Sequence, residues 1–119
     1  IDSTNKDLIV AGDVIAYSTS LSDVSLKDNI ITIDNALSKV EAMRGVEFDW
    51  NSGSRKGNHD IGVVAQEVEK ILPEIVYSKK DLEGNKVKTV DYEKITAVLI
   101  EAVKELSQEV KELKKQINA

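Results

Sequence analysis

From Glu93 onward the chain carries its most regular pattern. Leu99, Val103, Leu106, Val110, Leu113 and Ile117 recur in alternating steps of four and three, with Lys and Glu filling the positions between them. Placing Leu99 at heptad position d puts Leu106 and Leu113 at d as well, and Val103, Val110 and Ile117 at a. The pattern predicts a helix over 93–118, a rod near 40 Å long at about 1.5 Å per residue. A small domain has too little core to cover such a rod, so the stripe reads as an oligomerisation seam. The alternative is an amphipathic helix lying on its own domain.

Upstream the periods change. Ile30, Ile33, Leu37 and Val40 recur at helical spacing with Ala36 alongside, predicting a helix over about 26–43. Ser25 and Asp28 resemble a capping box, and Gly45 supplies the stop. Val46, Phe48 and Trp50 alternate with Glu47 and Asp49 as in a half-buried strand, followed by the polar loop 51–59 and an apolar strand at 61–64. A short helix over 66–72 ends at Pro73. Residues 74–78 and 86–90 flank a Gly-containing loop and read as a hairpin. At the start, 8–11 and 14–17 read as two short strands or one bent one, the tail of something upstream. The fold class is therefore α+β: a small mixed helix/strand domain with a long C-terminal helix.

Composition narrows the chemistry. The 119 residues suit a single domain. With 16 basic and 21 acidic residues the net charge is −5, which disfavours a phosphate backbone as partner. There is no cysteine, hence no disulfide framework, thiolate metal site or thiol nucleophile, and the single histidine leaves no visible metal-ligand set. No apolar run approaches the roughly 20 residues of a membrane span. No cofactor, metal, nucleic acid or membrane is expected. Phe48 and Trp50 read as core, and Arg55-Lys56 as a solvated loop face.

One pair carries chemical interest. A serine hydroxyl becomes a nucleophile when a base takes its proton, and a neutral lysine amine can serve. Ser22 and Lys27 lie five apart, about 140° apart on a continuous helix, so Ser22 must sit in a turn before the helix and fold back. Lys27 is then expected in the first helical turn, where the dipole and partial burial favour the neutral amine. Spacing alone leaves a helix cap with a solvated lysine as the simpler reading.

From Gly12 to the end the chain resembles the intramolecular chaperone auto-processing domain of phage tailspikes, tail fibres and neck appendages. SDVSLKDNI at 22–30 is similar to the family's S-D-x-R-L-K-x-N-I, and GVEFDW at 45–50 to its G-V-x-F-x-W. IGVVAQEVEKILPEIV at 61–76 and VDYEKITAVLIEAVKEL at 90–106 match two further blocks in the same order, and GDVIAY at 12–17 resembles a stalk end. The resemblance implies a homotrimer that promotes assembly of an upstream β-rich stalk and then cuts itself off. Carried over by position, Ser22 is the nucleophile, Lys27 its base and Leu21–Ser22 the scissile bond. Residues 1–21 are then the end of the stalk and 22–119 the processing domain. It also implies assembly in the host cytoplasm, with release from the mature fibre.

Asp23 fills the motif's acidic position and is expected to orient the turn or cap the helix. His59 and Gln66 are candidates to line the site. Ser25 stands where the motif has Arg. The alternative function is a structural trimerisation cap that does not cleave. A β-branched a with Leu d by itself favours two strands, against the three that the resemblance implies.

Overall fold

A computed structural model describes residues 20–119. The strands expected at 8–11 and 14–17 lie outside the described residues. The chain divides into two units, Ile1–Ile31 and Thr32–Ala119.

In the first unit the described residues contain one regular feature, a single 3₁₀ turn at Val24–Leu26. The helix expected over 26–43 is not continuous. Asn29 and Asn35 both adopt left-handed backbone, at φ 56° and 54°. Asparagine tolerates that conformation because its short side chain can bond locally, and each such residue interrupts a right-handed helix. Helix α1 is confined to Ala36–Ala42. Ile30, the first residue of the apolar repeat, is 65% exposed, whereas Ile33, Leu37 and Val40 pack against the core. The proposed Ser25–Asp28 box caps nothing helical: Ser25 donates its backbone N–H to Asp23 instead.

The second unit contains the expected elements in the expected order, with the second strand two residues earlier and the third two residues later than the apolar pattern predicts. Strands β1 (Val46–Asp49) and β2 (His59–Gly62) pair antiparallel, with Asp49 opposite His59 and Val46 opposite Gly62. Helix α2 (Ala65–Glu69) leads through a 3₁₀ turn at Pro73–Ile75 into β3 (Val76–Lys80). Strand β4 (Lys86–Val90) returns antiparallel, Val76 opposite Val90. Asp81 closes the hairpin by accepting the N–H groups of Glu83 and Asn85. Helix α3 then runs from Tyr92 to Asn118, 27 residues.

The core is small and contiguous. Ala36 from α1, Val68 from α2, Leu72, Ile75 and Val76 from the following segment, and Val98 and Ala102 from α3 are all buried. Each buried Val, Leu or Ile contributes about 1.5–3 kcal/mol relative to exposure. Phe48 and Trp50 are outside this cluster, contrary to the sequence reading. They are half-buried, their rings 5.0 Å apart at 78°, an edge-to-face pair.

Among the described glycines, one is required sterically. A Cβ on Gly62 would meet the Tyr92 hydroxyl at 2.6 Å. That hydroxyl accepts the Val63 N–H at 3.1 Å, so the missing side chain lets the start of α3 bond the end of β2.

Candidate functional site

The segment Ser22–Lys27 is organised by its one turn. Asp23, in extended backbone, accepts the Ser25 N–H on Oδ1 at 2.8 Å. The Asp23 and Val24 carbonyls accept the N–H groups of Leu26 and Lys27, at 3.0 and 3.1 Å. Lys27 itself is extended, at φ −128° and ψ 135°. A turn that ends in extended backbone sends the lysine side chain back along the segment, and Lys27 Nζ donates to Ser22 Oγ at 2.6 Å. The five-residue separation, which a helix would set on different faces, is closed by the turn.

Lys27 does not occupy the first turn of a helix, as the sequence reading expects. It caps the C-terminal end of the 3₁₀ turn, and its segment is exposed. The two advantages expected of a first helical turn, dipole and burial, are thus absent from this arrangement. What is present is contact between an amine and a hydroxyl. Leu21, on the other side of Ser22, is 87% exposed.

The other candidates sit in the second unit. His59 on β2 is bonded on both ring nitrogens, Nδ1 to Asp49 Oδ1 at 2.7 Å and Nε2 to Glu47 Oε1 at 3.0 Å. Two carboxylate acceptors favour the doubly protonated ring, so the hydrogen bonds that His59 donates to Glu47 and then to Asp49 raise its pKa above the ordinary value. Among the described residues no cluster could hold a metal ion. Gln66, on α2, lines a cavity of about 550 Å³ walled by Phe48, Trp50, Arg55, Asp60 and Tyr92. Arg55 is more than a solvated loop residue: its guanidinium lies 4.0 Å over the Trp50 ring, while the indole N–H donates to Asp60.

The six residues of the heptad repeat lie on one exposed stripe of α3. Leu99, Val103, Leu106, Val110, Leu113 and Ile117 are 43–73% exposed. A different set faces the domain: Ile95, Val98 and Ala102 pack into the core. Glu105 adds a contact with no local sequence signal. Its two carboxylate oxygens accept the N–H groups of Ala36 and Leu37, at 2.9 and 3.0 Å, and so cap α1 from 69 and 68 residues away. Asn35, at the cap position itself, supplies no side-chain bond. Val98, Ala102 and Glu105 are each followed directly by a residue of the stripe, Leu99, Val103 and Leu106, about 100° further round the helix. The first part of the helix therefore does lie on its own domain, through a face that neighbours the heptad stripe.

Residues 22–77 match the model of a peptidase family described as chaperone of endosialidase. This segment belongs to that family. The match begins at Ser22, the residue that Lys27 contacts. The chain is also similar to the long tail fiber protein Gp37 of Enterobacteria phages K3 and T2, 43% identical over 98 residues in each case. That alignment covers 81% of this chain but 8% and 7% of those two proteins. The long tail fiber protein Gp37 of Enterobacteria phage Ox2 is 37% identical over 97 residues, covering 78% of this chain and 38% of the relative. The chain with its chaperone-of-endosialidase segment thus spans well under half the length of these relatives.

Proposed function

We propose that this chain is the chaperone module of a phage tail fibre: it trimerises through α3, brings an upstream stalk into register, and then releases itself by cutting Leu21–Ser22. Fibrous β structure depends on non-local pairing between chains, which is slow to nucleate and prone to aggregation. A module that assembles first replaces chance encounter by a high local concentration of the three stalks. Cutting afterwards leaves a stalk that persists by kinetic stability. The assembly takes place in the host cytoplasm.

The observation that carries the reading is the 2.6 Å bond between Lys27 Nζ and Ser22 Oγ, at the first residue of the family match. The Ser22 hydroxyl oxygen is separated from the Leu21 carbonyl carbon by three covalent atoms, so attack closes a five-membered ring. A neutral Lys27 amine takes the hydroxyl proton as the Oγ–C bond forms. The proton passes to the departing Ser22 nitrogen as the C–N bond breaks, leaving Leu21 as an ester on Ser22. Water then hydrolyses the ester, giving a Leu21 carboxylate and a chain that begins at Ser22. In the observed geometry the lysine is the donor, so reaction starts when it has lost a proton.

The test is intact-mass analysis of the full chain with its upstream stalk. Ser22→Ala is expected to remain uncut and trimeric. Lys27→Arg is expected to cut at least about a hundredfold more slowly, since a guanidinium stays protonated at any usable pH. The wild-type rate is expected to rise between pH 6 and 10 and then level off. A wild-type chain that assembles but never cuts supports the second reading, a structural trimerisation cap, for which the free stripe on α3 is sufficient.

A further inference from the structure

The Ser22–Lys27 contact has a competitor in its own sequence. Asp23 lies four residues before Lys27, the spacing at which an acid and a lysine pair on a helix. An ion pair there would hold the lysine proton and occupy the amine. The charged groups in the described part of this unit are Asp23, Lys27 and Asp28. Asp28 follows Lys27 directly, and in extended backbone neighbouring side chains point to opposite sides. Among the described residues of this unit, Asp23 is therefore the carboxylate that could take Lys27 from Ser22.

The structure shows it engaged elsewhere. Its Oδ1 accepts the Ser25 N–H at 2.8 Å, and its backbone carbonyl accepts the Leu26 N–H at 3.0 Å. Hydrogen bonds from the Ser25 hydroxyl and N–H hold this carboxyl below its ordinary range. The Lys27 amine donates to Ser22, and no ion pair joins it to a described carboxylate.

We infer that Asp23 is a positioning residue with two linked effects: its cap closes the turn that returns Lys27 to Ser22, and the same cap keeps its carboxylate off the lysine. This rests on the reading of Ser22 and Lys27 given above. The cap needs a short side chain with an acceptor oxygen, and the carboxylate charge is a liability that the cap restrains. Asparagine meets the first need without the second. Glutamate keeps the charge on a longer arm that caps poorly and is free to reach Lys27.

The experiment measures single-turnover cleavage of the full chain with its upstream stalk, from pH 6 to 10, at equal trimer content. Asp23→Asn is expected to cut within about twofold of wild type with the same pH midpoint, because the cap remains. Asp23→Ala is expected to be about tenfold slower at the high-pH plateau, with the midpoint unchanged. Asp23→Glu is expected to be slow and to have its rising limb moved to higher pH by about half a unit. A residue that only stabilised the turn would make the Glu and Ala variants alike in midpoint, and that result overturns the inference. So does wild-type cutting by Asp23→Ala. Ser22→Ala separates the levels. Continued cutting by that variant overturns the dyad and this inference together, whereas its loss beside unaltered Asp23 variants overturns this inference alone.

Discussion

The two halves of α3 are built from the same residues and held by different things. Through Ala102 the helix has an inward face, with Val98 and Ala102 buried, and Glu105 one turn later fixes the start of α1. After Ala102 no residue of the helix is buried, yet the apolar stripe continues through Leu106, Val110, Leu113 and Ile117. An isolated helix of about 12–15 residues is marginal in water, so the second half needs a partner where the first needs its own domain. Under the function proposed above, one continuous helix joins folding within a chain to association between chains: the first half belongs to the monomer, and the second gains its stability on assembly.

The largest test of this contrast puts lysine at both later d positions. Leu106→Lys with Leu113→Lys removes about 1.5–3 kcal/mol of burial per leucine in the assembled form and places like charges at each layer. The expected result is a monomer by sedimentation velocity, with loss of helical signal from about the last three turns and an intact core. A trimer that survives would show that the stripe is not the seam. Global unfolding would show that the second half supports the domain after all.

A smaller effect is expected on the first half. Glu105→Ala leaves two backbone N–H groups of α1 without their acceptor, a loss of about 1 kcal/mol by analogy with ordinary N-caps. In a domain of this size that corresponds to about 4–8 °C in Tm. Measured in the monomeric double-lysine background, the drop should appear in full, since the contact lies within one chain. The trimer's sedimentation should be unaltered by Glu105→Ala alone.

The same division separates what the residues announced from what they concealed. The α3 stripe was legible because it repeats over nearly three heptads, and β1 because Val46, Phe48 and Trp50 alternate. Helix α1 is shorter than its apolar period predicts, because Ile30 continues the spacing while Asn29 and Asn35, both left-handed, break the helix. A left-handed asparagine has no spacing signal. Glu105 was invisible for another reason: on its own helix it is one more glutamate, and its partners lie 68 and 69 residues away. Trp50 reads as core by residue type, although Arg55 and Asp60 hold it at a cavity wall. The Ser22–Lys27 pair is marked by family pattern, while the five-residue spacing permits it only if a turn folds Ser22 back. The 3₁₀ turn reconciles the two.

The smallest expected effect concerns the globular part alone and sharpens the contrast by leaving α3 untouched. His59 bridges Glu47 and Asp49 across the β1–β2 pair, through Nε2 and Nδ1. Both bonds require protons on the ring, and Glu47, then Asp49, raise its pKa, with Asp60 adding in the same direction. The unfolded chain protonates histidine near pH 6.5. A group whose folded value is higher stabilises the folded state fully below that point and loses the contribution as pH rises through the folded value. Above it, the neutral ring can donate on one nitrogen only, and Glu47 and Asp49 face each other with less between them. Thermal unfolding of the monomeric double-lysine variant should therefore drop modestly from pH 6 to pH 8, the pair being exposed and screened. Because His59 is the only histidine in the chain, His59→Gln should flatten that slope. An equal drop in the Gln variant would assign the titration to another group. Sedimentation of the wild-type assembly should stay constant across the same range, since no seam residue from Leu99 to Ile117 is ionisable.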